Sequence, residues 1–196
     1  MNTHRPRWAL AAFSLQLSAI SLVLSSCGLP EPQADVVRHF TLGGEVGPGP
    51  VADATQVRPV RLAGHLHGRS LAVRVAPNEI SYLEEFRWAE PLDEALTEIL
   101  RARLGAVPGG ATVSVEVVRF ELVRPAGNSV ELQADYSILP AGARRADAVR
   151  GVFKSSPRTW SGKDPAELVA LMRAAADELA DALAAAVAAV KPAGPG

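Results

Sequence analysis

Few residues in this sequence could carry chemistry, and they lie far apart. Cys27 is the only cysteine, and it directly follows an apolar run in the segment LVLSSCG of residues 22–28. A thiol can serve as a nucleophile, a metal ligand or an attachment point. His65 and His67 are separated by one residue, so that two imidazoles could share one face of a strand. The surroundings of these residues decide which chemistry is open to them.

The residues before Cys27 have the form of an export signal. Arg5 and Arg7 precede residues 8–24, which are mostly apolar but interrupted by serines and a glutamine. A secretory signal needs an apolar core of roughly 7–15 residues after a basic start, whereas a spanning helix needs about 20 consistently apolar residues. The sequence of residues 24–27, LSSC, resembles the bacterial lipobox. Residues 1–26 are therefore predicted to be a lipoprotein signal peptide.

Cys27 is the predicted lipidation site. In proteins with a lipobox the thiol carries diacylglycerol and the new amino terminus receives a further acyl chain such as palmitate. Two or three chains attach a protein durably, whereas one holds only reversibly. The alternatives are an ordinary signal peptide followed by an unrelated thiol, or an uncleaved anchor. With Cys27 lipidated, the mature chain has no cysteine for a disulfide.

The predicted mature chain begins with a tether and forms one domain. Residues 27–35 are predicted to be a lipidated tether, in which the eight residues after Cys27 reach roughly 26 Å if extended. Gly28 takes the position where aspartate favours the inner membrane, so that by resemblance it favours the periplasmic face of the outer membrane. About 170 residues remain after cleavage, enough for one core. The predicted domain covers residues 36–190, and residues 191–196 form a flexible tail.

Composition and motifs argue against several classes of function. The chain has 20 lysines and arginines against 21 aspartates and glutamates, so no basic excess favours nucleic acid. The His65 and His67 pair lacks the third and fourth ligands of a zinc site, and a solvated loop is the simpler interpretation. The sequence has no GxSxG nucleophile motif and no glycine-rich phosphate loop. We therefore expect no enzyme, no cofactor and no metal.

Alternating apolar residues predict most of the strands. Strands are expected at residues 36–42, 57–62 and 71–75, with a loop at 43–56. Residues 80–82 and 86–88 keep a period of two around a bend or short helical turn at 83–85. A hairpin of strands 112–123 and 130–139 follows, and the apolar positions shift after Val117, which indicates a bulge. Residues 149–154 predict one more strand.

Two helices complete the predicted fold. The first begins near Pro91 and ends at Gly105, with apolar residues at helical spacing. The second begins at Asp164-Pro165, which combines a capping residue with proline at the first helical position, and has an apolar stripe to Val190. Alternatively, its alanine-rich face meets a second copy in a homo-oligomer. The expected architecture is a single α/β domain, in which a mixed sheet packs against a central helix and a long C-terminal helix.

Several of these segments resemble one family. Phe40-Thr41-Leu42 after a lipidated cysteine, residues 80–104 (ISYLEEFRWAEPLDEALTEILRARL), Arg119-Phe120-Glu121 and the segment LQADY at 132–136 are similar to the ABC-type transport auxiliary lipoproteins, the PqiC-like family. The resemblance extends from about residue 36 to residue 190. His39-Phe40 departs from the paired tyrosines that are frequent in the family, Tyr136 departs from tryptophan, and the loop at 43–56 is long.

The resemblance implies a function without catalysis. It implies a periplasmic lipoprotein that assists an ABC transporter and an MCE-domain protein in moving phospholipid-like molecules between the inner and outer membranes. The partners are then the MCE protein, the transporter components and the membrane. Tyr82, Phe86, Trp88 and Glu90 are the candidate partner-binding surface, although alternating aromatic residues also commonly fill a core. A structural or assembly-factor lipoprotein of an outer-membrane complex is the alternative.

Overall fold

The computed structural model describes residues 36–43, 49 and 51–190. The predicted signal peptide, Cys27, the tether and the tail at 191–196 lie outside these ranges, as do residues 44–48 and 50 of the predicted loop at 43–56. Within the described ranges the chain forms a mixed α/β domain with a nine-stranded sheet and two α-helices. The predicted fold class is confirmed.

The sheet has both parallel and antiparallel pairs. Its strands are β1 (Arg38–Phe40), β2 (Gln56–Val57), β3 (Arg61–Leu62), β4 (Ser70–Ala76), β5 (Glu79–Trp88), β6 (Thr112–Val123), β7 (Ser129–Leu139), β8 (Val149–Lys154) and β9 (Arg158–Thr159). The main order is β1-β5-β4-β6-β7-β8, and β9 also pairs with β7. The short strands β2 and β3 and then β4 pair with successive parts of β6, all in parallel.

The β6–β7 hairpin is the centre of the sheet, and its predicted bulge is present. The register between the two strands shifts between Val117 and Arg119. Before the shift Val113, Val115 and Val117 are buried, and after it Phe120 and Leu122 are buried. The shift therefore keeps one face of β6 apolar along the whole strand.

Two of the predicted strands differ from those in the structure. The strand expected at 57–62 is divided into β2 and β3, because Pro59 has no N–H and the N–H of Val60 donates to Thr97 Oγ1 at 2.9 Å instead of to β6. The strand expected at 36–42 is shorter, since the carbonyl of Leu42 accepts a hydrogen bond from Arg173 Nη1 at 2.9 Å.

The bend predicted at 83–85 is wrong. β5 runs without interruption from Glu79 to Trp88. Its partner β4 pairs Leu71 with Leu83 but Ser70 with Arg87, so the extra residues of β5 form an irregularity in the pairing. The change in the apolar pattern therefore marks a register shift inside one strand and not its end.

Both helices begin and end near the predicted residues, and both cover the same face of the sheet. α1 is Leu92–Leu104, and α2 is Pro165–Ala189. Asp164 caps α2, since its Oδ1 accepts from the N–H of Ala166 at 3.0 Å. The buried side chains of α2 join those of α1, β6 and β7 in one apolar core. The helix-covered face is called the inner face below, and the opposite face of the sheet is called the outer face.

Glycine is required where α1 ends. A Cβ at position 105 would lie 2.7 Å from the carbonyl oxygen of Arg101. The Gly105 N–H donates to that same oxygen at 2.9 Å, so the chain has to pass close to the last turn. Gly105 therefore ends the helix as the sequence predicted, through close backbone approach rather than a positive φ.

Candidate functional site

The outer face of the sheet is charged, and its ion pairs join neighbouring strands. Arg61 of β3 pairs with Glu116 of β6, with 2.6 Å between Nη2 and Oε2. Farther along the sheet, Glu131 of β7 lies between Arg119 and Lys154, at 3.7 and 4.0 Å. These pairs are mostly exposed, so each contributes little to stability, about 0–1 kcal/mol.

Glu121 differs from the other charged groups because its side chain is completely buried. Its Oε1 accepts from Arg74 Nε at 2.5 Å, and its Oε2 lies 3.3 Å from His65 Nε2. Arg74 Nη1 also donates to the carbonyl of Pro77 at 2.9 Å. A buried carboxylate is costly without such partners. Glu121, Arg74 and His65, which we call the buried triad, therefore form one coupled unit on the outer face.

A short 3-10 turn, Gly64–Leu66, brings His65 to the buried triad. Leu66 is buried, and the hydroxyl of Tyr82 donates to the carbonyl of His65 at 3.1 Å. The sequence suggested that the two histidines could share one face of a strand. In the structure they lie on a turn instead. Within residues 36–43, 49 and 51–190, no group of three or more histidine, cysteine, aspartate or glutamate side chains could hold a metal ion.

The four candidate partner-binding residues do not share one surface. Trp88 is 3% exposed, and its ring stacks on Phe120 with 6.5 Å between centroids and 4° between planes. Phe86 packs against the same core and makes an edge contact with Phe40 at 6.1 Å. Tyr82 is 40% exposed and lies on the outer face. The structure therefore shows the core role for Trp88 that the sequence left open.

Glu90 follows β5 and is partly exposed. Its carboxylate makes no hydrogen bond or ion pair with the described part of the chain. Cys27, the predicted lipidation site, lies outside the described residues. That Tyr82, Phe86 and Glu90 contact a partner stays a prediction.

A second polar cluster joins α2 to the strand end before β9. Glu178 accepts from the backbone N–H of Ser156 at 3.1 and 3.2 Å and from its hydroxyl at 2.8 Å. Arg158 Nη2 lies 2.7 Å from Glu178 Oε2. Burial alone would raise the pKa of Glu178, but the hydrogen bonds from Ser156 and Arg158 and the charge of Arg158 together lower this pKa below its ordinary 4.5.

Glu178→Gln is expected to destabilise the protein by about 1 kcal/mol at pH 7. Because the pKa of Glu178 is lowered by folding, the stabilisation is complete above its ordinary value and is lost as the pH falls through the lowered value. The difference between wild type and variant should therefore shrink with acidification. Urea unfolding at pH 7 and at successive lower pH values measures this.

Glu98→Gln is the matched control for that series. Glu98 also pairs with an arginine, but its side chain is 69% exposed. We expect a loss of at most about 0.5 kcal/mol, as is usual for a pair on one helix surface. If the loss of stability caused by Glu178→Gln were the same at pH 7 and at the lowest pH measured, this result would contradict the assigned role of the carboxylate.

No helix in the described part of the chain combines the length and the apolar character needed to cross a membrane. The family model for the ABC-type transport auxiliary lipoprotein component matches residues 42–184. The chain belongs to this family. Family members are auxiliary lipoprotein components of ABC-type transport.

Solved structures show that the fold of this auxiliary lipoprotein occurs elsewhere. The crystal structure of an uncharacterized protein matches with a TM-score of 0.61 and 16% identity, covering 76% of this chain and 97% of the other. A DUF330 protein from Xanthomonas campestris also gives a TM-score of 0.61, with 19% identity and coverage of 74% and 92%. Among curated proteins, no relative matches this sequence.

Sequence reasoning missed the buried triad. Arg74 and His65 lie 47 and 56 residues from Glu121 along the chain. One signal was present: Glu121 stands in a strand whose neighbours Phe120 and Leu122 are apolar, and an acidic residue there needs a charged partner. The sequence could therefore indicate that a partner exists, but it could not identify Arg74 or His65.

Proposed function

We propose that this auxiliary lipoprotein is a non-catalytic accessory of an ABC transport system that moves lipid between the inner and outer membranes through an MCE-domain protein. The match to the family over residues 42–184 is the observation that carries the proposal. The MCE partner and the lipid cargo go beyond that match and come from the resemblance of the sequence. Acyl chains on Cys27 would hold the domain at the periplasmic face of the outer membrane.

The architecture is suited to an accessory role. The inner face of the sheet is filled by the core and both helices, while the outer face carries charged side chains that are held by neighbouring strands. Charges arranged on a rigid surface favour the choice and orientation of a protein partner. The outer face, including the exposed Tyr82, is therefore our candidate docking surface for the MCE protein.

Copurification tests the identity of the partner. The full chain, expressed from its native locus with a C-terminal tag and cross-linked before solubilisation, should recover an MCE-domain protein together with an ATPase and a permease. Recovery of an outer-membrane β-barrel complex without these subunits would support the assembly-factor alternative and contradict the proposal. An untagged strain treated in the same way controls for nonspecific capture.

Cys27→Ser, expressed behind a signal peptide whose cleavage does not require lipidation, is expected to shift the protein from the membrane fraction to the soluble periplasmic fraction. The hydroxyl cannot form the thioether to diacylglycerol, so the acyl chains that give durable attachment are lost. Fractionation with immunoblotting measures the shift, and mass spectrometry of the wild-type amino-terminal peptide should show the added acyl mass.

Ser25→Ala is the control, because it keeps a small residue before Cys27 and should leave the protein on the membrane. An unmodified thiol at position 27 in exported wild-type protein would contradict the anchor.

A further inference from the structure

A cleft of about 460 Å³ lies at the end of the sheet where β6 begins and β7 ends. Its volume is within the range of about 300–1,000 Å³ that is usual for small-ligand sites. Thr112 and Ser114 of β6 and Ser137 and Leu139 of β7 contribute to its wall. Because alternate residues of β6 and β7 face the core, these four residues belong to the outer face.

Three arginines surround the cleft, and they come from different segments. Arg58 lies between β2 and β3, Arg61 lies in β3, and Arg145 begins the 3-10 turn Arg145–Asp147 after β7. No carboxylate is among the described residues that line the cleft. The chain as a whole has a net charge of −1, so this concentration of positive charge is a local feature.

The guanidinium groups that line the cleft have N–H donors that are not used in hydrogen bonds with the described residues. Those of Arg58 and Arg145 make no hydrogen bond or ion pair with the described residues. Arg61 uses Nη2 to bind Glu116 at 2.6 Å, and a guanidinium has five N–H donors, so others remain available. The nearby Asp147 already pairs with Arg144 at 3.2 Å. Glu116 and Asp147 are thus each paired with an arginine, and Asp135, which lies opposite Glu116 in the β6–β7 pair, does not line the cleft.

Hydroxyl groups supply further donors on the wall of the cleft. Ser114 and Ser137 lie directly opposite each other in the β6–β7 pair, and Thr112 is two residues before Ser114 on the same face. Their hydroxyls make no hydrogen bond with the part of the chain that the structure describes. Hydroxyls beside several guanidiniums are suited to an anion with more than two oxygens.

We propose that this cleft binds a phosphate group. A phosphate presents three or four oxygens and can accept hydrogen bonds from arginines on several sides, whereas one bidentate arginine satisfies the two oxygens of a carboxylate. Free phosphate and the phosphodiester of a lipid headgroup share this chemistry. The proposal needs no transport partner and stands independently of the proposed function.

The test uses the full exported chain, purified in a maltoside detergent that contains no phosphate. Inorganic phosphate is titrated while the backbone amide signals are followed by NMR, with sodium acetate at equal ionic strength as the reference anion. We expect saturable shifts at Ser114 and Ser137 with phosphate and none with acetate. A second titration uses micelles doped with short-chain phosphatidylglycerol, compared with micelles doped with short-chain diacylglycerol.

Arg58→Gln combined with Arg145→Gln is expected to weaken phosphate binding at least about tenfold, because two charge-assisted hydrogen bonds are lost. Arg69→Gln combined with Arg124→Gln is the matched control. These two arginines are exposed, do not line the cleft, and their loss changes the net charge equally. We expect the control pair to weaken binding by less than about threefold, through the general surface potential alone.

The outcomes separate the sources of phosphate. Saturation by inorganic phosphate supports free phosphate as the ligand, and a response restricted to phosphatidylglycerol supports a lipid headgroup. The proposal is overturned if neither probe gives saturable shifts at the cleft, if acetate acts as strongly as phosphate, or if both double variants weaken binding equally. Thermal melts of the two double variants should match wild type, since all four side chains are exposed.

Discussion

Glu121→Gln is expected to lower the free energy of unfolding by about 3–5 kcal/mol. The Glu121 side chain is fully buried, and the guanidinium of Arg74 beside it is only 13% exposed. Glutamine has nearly the same volume but carries no charge, so the substitution leaves the Arg74 cation buried without its counterion. The hydrogen bonds to charged groups are lost or weakened as well. Chemical denaturation at pH 7 measures the change.

Glu116→Gln is the matched control for this experiment. Glu116 lies on the same strand and the same face and also pairs with an arginine, but its side chain is 44% exposed and that of Arg61 is 77% exposed. Water solvates both groups when the pair is broken, so we expect a loss of at most about 1 kcal/mol. Equal losses for Glu116→Gln and Glu121→Gln would contradict the role of burial.

A paired replacement separates charge from packing. Arg74→Met combined with Glu121→Leu removes both charges and keeps apolar volume, and buried ion pairs are often replaced in this way at little cost. The double variant should therefore be more stable than Glu121→Gln. If it is equally unstable, the geometry of the hydrogen bonds matters more than the charges do.

Periodicity predicted the elements whose pattern is local. The bulge of β6 was visible because Val113, Val115 and Val117 alternate in one phase and Phe120 and Leu122 in the other. The long C-terminal helix was visible because Asp164 and Pro165 mark its start and an apolar stripe follows. In such segments the local pattern of apolar residues shows which side chains are buried, and the element can be predicted without knowing which distant segment packs against it.

Features that depend on pairing with another strand were not predictable. The change of phase near Leu83 has the same appearance as the one in β6, but we interpreted it as a bend because the sequence does not show that β4 runs alongside. Similarly, the apolar residues of 57–62 do not indicate that the N–H of Val60 donates a hydrogen bond to Thr97 of α1. Tertiary hydrogen bonds decided both cases.

The candidate sites depend even more than the strands do on contacts between segments that are distant in the sequence. The cleft gathers Arg58, Ser137 and Arg145 from three separate segments, and no spacing rule in the sequence places them together. The aromatic residues of β5 were visible as a group, but their faces depend on the irregular pairing between Leu83 and Arg87. That pairing puts Tyr82 on the outer face and Phe86 and Trp88 on the inner one.

Trp88→Ala is expected to destabilise the protein by about 3–5 kcal/mol. The indole is 3% exposed and stacks on Phe120 in the apolar core, so its removal leaves a cavity and exposes part of the Phe120 ring. Tyr82→Ala is the control on the same strand. The Tyr82 ring is 40% exposed, and we expect its loss to cost no more than about 1 kcal/mol, mainly for the hydrogen bond to His65.

Trp88→Phe separates the core role from partner binding. Phenylalanine keeps an aromatic ring against Phe120, so the variant should remain folded and lose about 1–2 kcal/mol for the smaller apolar area. Because the indole is buried, partner recovery in the copurification experiment should equal that of wild type. A folded Trp88→Phe protein that no longer recovered its partner would show that Trp88 contacts the partner directly, and the core role alone would then be insufficient.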